Sequence, residues 1–389
     1  MPTDMELFGG TMMSPVVDPY SVYRRLRREQ PVICVEGLLG RDHLVTRYDD
    51  VIDVLKQPAL FSSRANARAA GLVMGRTILE MDGREHIRHR TLITPFFAPS
   101  ALRAGVEDMI AATVHDLIDR FAADGRADLV PQFTFIFPMQ VIAHIIGIPI
   151  DDYAAFHHWA VDLLRIGDDP EKGFAAAALI VDYLRPVLEQ RRVEPTSGLL
   201  SALLHTDVDG HQLTDEEVLS FIRLLLPAGA ETTYRLVGSA LFALLTHTDQ
   251  LEEVRADRSL LDAAIEETLR WEAPVQYVSR ETTAPATVAG FDIPAGELVS
   301  VALGSANRDE RRFEDPDRFD LHRRSDDHVA FGLGPHFCAG SHLARAEARI
   351  ALAALLDRLP NLRLDPDHRP QVVGLAFRSP DRLPVLFDR

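Results

Sequence analysis

Apolar residues along this chain recur mainly at helical spacing, with a few short stretches that alternate instead. Asp18-Pro19 reads as a cap and a first-turn proline, opening an arginine-rich amphipathic helix that stops before Pro31. Residues 32–35 and 43–46 predict two strands joined by a glycine-containing turn, and Asp49 starts a short helix ending at Pro58. Residues 61–79 are rich in Ala, Gly and Arg without a period, which predicts a loop. Helical spacing returns over residues 100–122 and 138–147, the second opening on proline and closing on glycine before Pro149. A helix pair, 151–166 and 171–192, brackets Gly167 to Pro170.

Thr214-Asp215-Glu216-Glu217 is a capping box. It opens a helical pattern to about residue 246, roughly 45 Å long. This pattern is apolar nearly all round through Phe221 to Leu226, as a helix through the middle of a large core would be. It then meets Pro227-Ala228-Gly229-Ala230-Glu231-Thr232-Thr233, where proline and glycine predict a kink. A carboxylate beside two hydroxyls in apolar surroundings is costly unless it is paired locally or used. Residues 260–271 predict a helix carrying Glu267 and Arg270 on one face. Residues 277–280 and 287–301 predict strands, with a Pro-Ala-Gly turn at 294–296.

Chemistry concentrates in Phe331-Gly332-Leu333-Gly334-Pro335-His336-Phe337-Cys338-Ala339-Gly340, just before a predicted helix over residues 341–359. A cysteine there faces the positive end of the helix, which lowers its pKa and favours a metal bond, although a plain buried cysteine would also fit. Upstream, His86 and Arg90 are four apart on one helix face after a Met81-Asp82 turn, suited to gripping one anionic group or to solvation.

Composition narrows the class. The 389 residues are 47% hydrophobic, with no Ser/Gly-rich linker or repeat, so a single domain over 1–389 is expected. Net charge of −17 argues against a nucleic-acid partner, because phosphate binding needs a basic footprint. Cys34 and Cys338 form neither a disulfide framework nor a zinc pattern, which fits a reducing cytoplasm. No apolar run approaches the roughly 20 residues of a membrane span. Residues 1–10 carry acids and no basic region, unlike a signal peptide.

The Phe-x-x-Gly-x-His-x-Cys-x-Gly loop resembles the haem-binding loop of the cytochrome P450 family, with His336 where many members carry arginine. Ala-Gly-x-Glu-Thr-Thr resembles that family's oxygen-activation motif, with Pro227 departing from the aliphatic residue expected before it. His-x-x-x-Arg, Glu-x-x-Arg and Arg280 also match in the family's order. The resemblance implies a mainly α fold with small β-sheets, a triangular domain enclosing haem b. It assigns Cys338 as axial ligand to iron and Glu231 and Thr232 as the acid and alcohol of oxygen activation. It places His86, Arg90, Arg280 and His336 on the haem propionates, and Phe331, Gly332, Gly340, Ala228 and Gly229 against the ring. Glu267 and Arg270 become a structural pair, completed by Arg318 or Arg323. Leu72, Val73, Leu225, Ala228, Val278 and Leu375 are the implied substrate-pocket walls.

The implied activity is a soluble bacterial-type monooxygenase inserting one oxygen atom of O2 into an apolar small molecule. Electrons would come from NAD(P)H through a ferredoxin and its reductase, since the chain has no Gly-rich dinucleotide fingerprint of its own. Arg88, Arg103, Arg345 and Arg349 are the implied docking contacts, and the protein is expected to be a cytoplasmic monomer. Glu231-Thr232 argues against a peroxide-driven peroxygenase, which carries arginine and proline there, and against a non-catalytic haem sensor.

Overall fold

The computed structural model describes residues 14–37, 40–150, 153–208 and 211–389. The capping box at Thr214 is formed: its Oγ1 accepts from the Glu217 N–H at 3.3 Å, and Glu217 Oε2 accepts from the Thr214 N–H at 2.8 Å. It opens a continuous 32-residue helix, Asp215–Thr246. The kink expected at Pro227 does not interrupt this element. The helix runs through Pro227, and Leu224, Leu225, Leu226 and Ala230 around the proline are buried.

This central helix is the axis of the fold. Helices Phe137–Ile146, Tyr153–Leu164, Leu261–Trp271 and Ser341–Arg358 pack directly on it, and Glu107–Asp119 packs on the last of these. Their apolar faces merge into one large core. Gly147 ends the Phe137–Ile146 helix in the left-handed conformation, φ 84°, as the Gly147-Pro149 pattern predicts.

A five-stranded sheet stands beside the helices, in the order Val32–Gly37, Gly40–Val45, Leu298–Val301, Val278–Thr282, Phe61–Ser62. Leu298–Val301 runs parallel to Gly40–Val45 and antiparallel to Val278–Thr282, and Arg280 stands opposite Val299. Smaller two- and three-stranded sheets complete the β content.

Some elements depart from the sequence reading. Residues 61–79 are not a featureless loop. They form strand Phe61–Ser62, a 3-10 turn Ser63–Arg68 capped by Ser62 Oγ, and a short helix Ala70–Met74. Elements this short carry no readable period. The helix expected over 100–122 breaks at Gly105, whose φ of 128° is left-handed, and resumes as Glu107–Asp119. The strand expected over 287–301 is a hairpin, Ala286–Val288 and Phe291–Ile293, followed by Leu298–Val301, because Ala289 and Gly290 turn the chain with positive φ. The 1–10 segment, residues 38–39 of the first turn, and residues 151–152 at the start of the 151–166 helix lie outside the described residues. Among the described residues no helix is long and apolar enough to cross a membrane.

Candidate active site

The Cys338 loop is folded back on itself. The Cys338 N–H donates to the Phe331 carbonyl at 2.9 Å, and the Gly332 N–H to the Val329 carbonyl at 2.8 Å. Gly332 and Gly334 have φ of 70° and 76°, and a Cβ on Gly334 would sit 2.9 Å from the Leu55 carbonyl oxygen. Both positions therefore require glycine. Asn307 anchors the approach, its Oδ1 accepting from the Val329 N–H at 2.7 Å.

Cys338 retains accessible surface. Yet desolvation pushes its thiol upward, against the Gly340 N–H on the sulfur and the charges of Arg90 and Arg345. The net direction is opposite to the lowering expected from the following helix N-terminus, because desolvation outweighs the Gly340 N–H and the two arginines.

A second surface opens within the central helix. Between Val218 and Leu241 every residue is buried except Ala228, Gly229 and Thr232. These lie within one turn and a half of each other, on one stripe. Thr232 Oγ1 donates to the Ala228 carbonyl at 2.9 Å, so the hydroxyl sits in this stripe. The helix that follows Cys338, Ser341–Arg358, packs on the same central helix.

Next to the loop is an unneutralised basic cluster. Arg280 is buried, bonded only to the Ser279 carbonyl at 2.8 Å, and Arg90 donates to the Phe337 carbonyl; neither has an ion-pair partner among the described residues. Desolvation depresses both guanidiniums, opposed in Arg280 by Asp82 and in Arg90 by Cys338. The His86 and His336 rings lie 4.1 Å apart, and their Nε2 atoms have no hydrogen-bond partner among the described residues. His336 is pushed down to about 4, mainly by burial and by His86 and Arg280. Asp82, 3.5 Å from His336 Nε2, is the nearby acid, and it is already engaged by Ser62 Oγ at 2.5 Å. Two desolvated arginines and two unsatisfied imidazoles demand an anion.

A family model described as Cytochrome P450 matches residues 151–372. The chain is 39% identical over 386 residues to cytochrome P450 107B1 of Saccharopolyspora erythraea, spanning 95% of both chains. It is 41% identical over 358 residues to cytochrome P450 monooxygenase PikC of Streptomyces venezuelae, spanning 90% of this chain and 85% of that one. This chain belongs to the cytochrome P450 family. Among solved structures, CYP109E1 from Bacillus megaterium in complex with testosterone matches at a TM-score of 0.87 and 32% identity, covering 96% of this chain and 98% of that one.

The protein is thus a P450 monooxygenase, an oxidoreductase that uses molecular oxygen and carries haem b. Its residues fit that group. A thiol stands on a folded, glycine-bearing loop, and an acid-poor cluster of His86, Arg90, Arg280 and His336 supplies unmet donors for two carboxylates. Ala228 is exposed and has no bulky side chain to block a flat ring, whereas the side of Gly229 that would carry a Cβ is packed against Ile142, 2.7 Å from where that atom would sit.

Behind the P450 loop, Glu267 and Arg270 are buried, with Arg270 Nε and Nη2 donating to the two carboxylate oxygens. Arg323 Nε joins at 3.2 Å, whereas Arg318 contributes only its carbonyl, accepting from Arg270 Nη2 at 3.1 Å. Asn307, Pro316, Asp320 and Ser325 bond the same pair, tying the segment before the loop to helix Leu261–Trp271. Glu266 completes the brace through Arg345 at 2.5 Å and His328 at 3.0 Å.

The apolar residues read as pocket walls are dispersed. Val73 and Leu225 are packed into the main core, and Leu375, 2% exposed, packs with Tyr20, Tyr23 and Leu26 under the first helix. Leu72 is 59% exposed on the short Ala70–Met74 helix, and Val278 is half-buried. Of the docking arginines, Arg345 is turned inward to Glu266 and Arg349 is shared by Glu107 and Asp262, while Arg88 and Arg103 are exposed. Sequence reasoning missed Asp82, Arg235 and His157. The Met81-Asp82 turn was visible, but nothing in the sequence brings His157 to Glu231.

Proposed function

We propose that this P450 inserts one oxygen atom of O2 into an apolar small molecule, with Thr232 and Glu231 governing proton supply. The observation that carries the reading is the short uncovered stripe, Ala228-Gly229-Thr232, on an otherwise buried helix, with a buried acid one residue away. Haem b, held through Cys338, supplies the capture and reductive activation of dioxygen, and thiolate donation favours O–O cleavage. His86, Arg90, Arg280 and His336 hold its propionates. Phe331, Gly332 and Gly340 support the ring from the loop side, and Ala228 and Gly229 admit it from the helix side.

Thr232 presents a hydroxyl that can donate or accept as oxygen is reduced. Glu231 is the adjoining acid. The substrate is apolar, in keeping with the testosterone bound by CYP109E1, and Val278 and Ala228 border it. Electrons come from NAD(P)H through a ferredoxin and reductase. Arg88 and Arg103, exposed and without ion-pair partners among the described residues, support an acidic docking partner. The protein works as a cytoplasmic monomer.

Thr232→Ala tests the reading. Haem content and the substrate-induced spectral shift should be retained, while consumed NAD(P)H appears as released hydrogen peroxide instead of product. Full coupling in this variant would refute the role of Thr232. Reversing the charge of Arg88 and Arg103 should slow reduction and flatten its salt dependence; an unchanged rate would reject this docking surface.

A further inference from the structure

Glu231 is held firmly on one side only. Its Oε1 accepts from Arg235 Nε at 3.0 Å and from Arg235 Nη2, with Tyr234 Oη 3.4 Å away. Its Oε2 faces His157 Nε2 at 3.5 Å, and neither atom has another hydrogen-bond partner among the described residues. Glu231 is 0% and His157 1% exposed, so bulk water does not separate them.

His157 is fixed from its other edge. Its ring stacks on Phe135, centroids 3.6 Å apart with 2° between the planes, and Nδ1 hydrogen-bonds the Phe135 carbonyl. A carbonyl oxygen only accepts, so Nδ1 carries a hydrogen. A neutral imidazole held this way has a bare Nε2, and that lone pair points at a carboxylate oxygen. Two buried acceptors facing each other without a donor are strongly disfavoured. One proton between them, on Nε2 or on Oε2, removes the conflict.

We propose that His157 and Glu231 hold one proton in common, and that His157 is the positioning residue through which Glu231 is recharged during oxygen reduction. This rests on the monooxygenase reading of Glu231 and Thr232 given above. Burial pulls the Glu231 carboxyl upward, but Arg235 and His157 outweigh it and leave it below its ordinary value. The cycle starts from the form in which Nε2 carries the shared proton. In the transfer, the Nε2–H bond breaks and an Oε2–H bond forms. The imidazole is left neutral, with Nδ1–H still on Phe135. A neutral Glu231 is no longer attracted by charge to Arg235, so its side chain is free to turn toward Thr232. There it gives the proton to the oxygen atom that leaves as water. The carboxylate then returns to Arg235, and one solvent proton restores the pair. Two such deliveries, with two electrons from NAD(P)H, balance the reduction of one oxygen atom of O2 to water.

The surroundings are defined on every side. Tyr234 and Arg235 come from the central helix, and His158, bonded to the Ala154 carbonyl, is the next residue along from His157. Arg235 Nη1 also donates to the Phe377 carbonyl at 3.3 Å and Ser379 Oγ at 3.2 Å, with Arg378 between them in sequence. Arg235 is thereby anchored independently of Glu231, and it stays in place when the acid moves.

The shared proton is tested on the unmodified, haem-loaded protein. In the diamagnetic reduced carbonmonoxy form, ¹⁵N-histidine NMR reports the His157 ring and isotope-edited infrared reports the Glu231 carboxyl. An imidazolium with a carboxylate, or an Nδ1–H imidazole with a protonated carboxyl, supports the proposal. A neutral ring opposite an ionised carboxylate, or an Nε2–H tautomer, overturns it. In Glu231→Gln, whose amide donates to Nε2, the ring should become the neutral Nδ1–H form.

Function is read by coupling and by the solvent deuterium isotope effect across pH. His157→Gln should keep haem content and the substrate-induced spectral shift, lower product per NAD(P)H about tenfold, and change the pH profile as Glu231→Gln does. If Glu231→Gln uncouples the enzyme and His157→Gln does not, the proposal fails and the monooxygenase reading stands. If neither these variants nor Thr232→Ala alters coupling, the assignment of the acid and alcohol fails with it.

Discussion

Glu267 and Arg270, three residues apart on one helix, form a two-pronged ion pair with both contacts at 2.7 Å and neither side chain exposed to solvent. Every remaining acceptor and donor of the pair is engaged by the segment that leads to Cys338. Removing one member of such a pair leaves an uncompensated buried charge, a loss of about 3–5 kcal/mol. Arg270→Met should therefore lower holoprotein stability by that amount and reduce haem retention, measured by urea unfolding and haem transfer. Arg323→Met should cost much less. Its contact with Glu267 is single, at 3.2 Å, and its other partners are the Glu314, Asp315 and Arg318 carbonyls. Equal losses would show that the two arginines carry the pair equally.

Arg280 should behave in the opposite way in the two states of the protein. Buried and without a counter-ion, it destabilises the haem-free fold, and Arg280→Met should raise haem-free stability by about 1 kcal/mol or more. The same change removes a donor from the cluster proposed to hold the haem propionates, so haem should leave the variant faster. Slower haem loss in Arg280→Met would remove Arg280 from that cluster.

Glu266 sets an acid limit. Burial pulls its carboxyl upward, but hydrogen bonds from Arg345 and His328 win and hold it at about 2. A folded-state value below the unfolded one, near 4.3, means that the ionised group stabilises the fold. That stabilisation is complete above the unfolded value and is lost as pH falls through the window down to about 2. Stability measured from pH 7 to pH 2 should show this limb in the parent and a shallower one in Glu266→Gln. Identical slopes would contradict the linkage.

Glu347 has the reverse sign. It is buried on helix Ser341–Arg358 with Oε2 unpartnered among the described residues, and desolvation raises its carboxyl well above the ordinary range. The folded state therefore binds more protons than the unfolded one. Its contribution is most favourable below about pH 4.3 and declines as pH rises. Glu347→Gln should gain stability relative to the parent at pH 7 and match it most closely at low pH. A constant difference across pH would mean that the carboxyl does not titrate on unfolding.

Much of the site was legible because its residues act through local backbone geometry. The capping box at Thr214, the glycines of the Cys338 loop and the i, i+4 placement of His86 and Arg90 each need only neighbouring residues, and each is realised. Pro227 removes one backbone donor but does not end the central helix, because the residues on both of its flanks are buried in the core. Gly105 was missed because a glycine among helical spacings does not announce its φ.

By itself the sequence determined the family and the mainly helical fold, since spacing and residue type are enough for local chemistry. Only the tertiary structure decided which arginine completes the Glu267 pair, that Leu375 packs under the first helix, and that His157 faces Glu231. Helical periodicity says which residues share a stripe, not which distant element covers it. His157 and Glu231 lie on different helices, and their 3.5 Å approach exists only because the Tyr153–Leu164 helix packs on the central one.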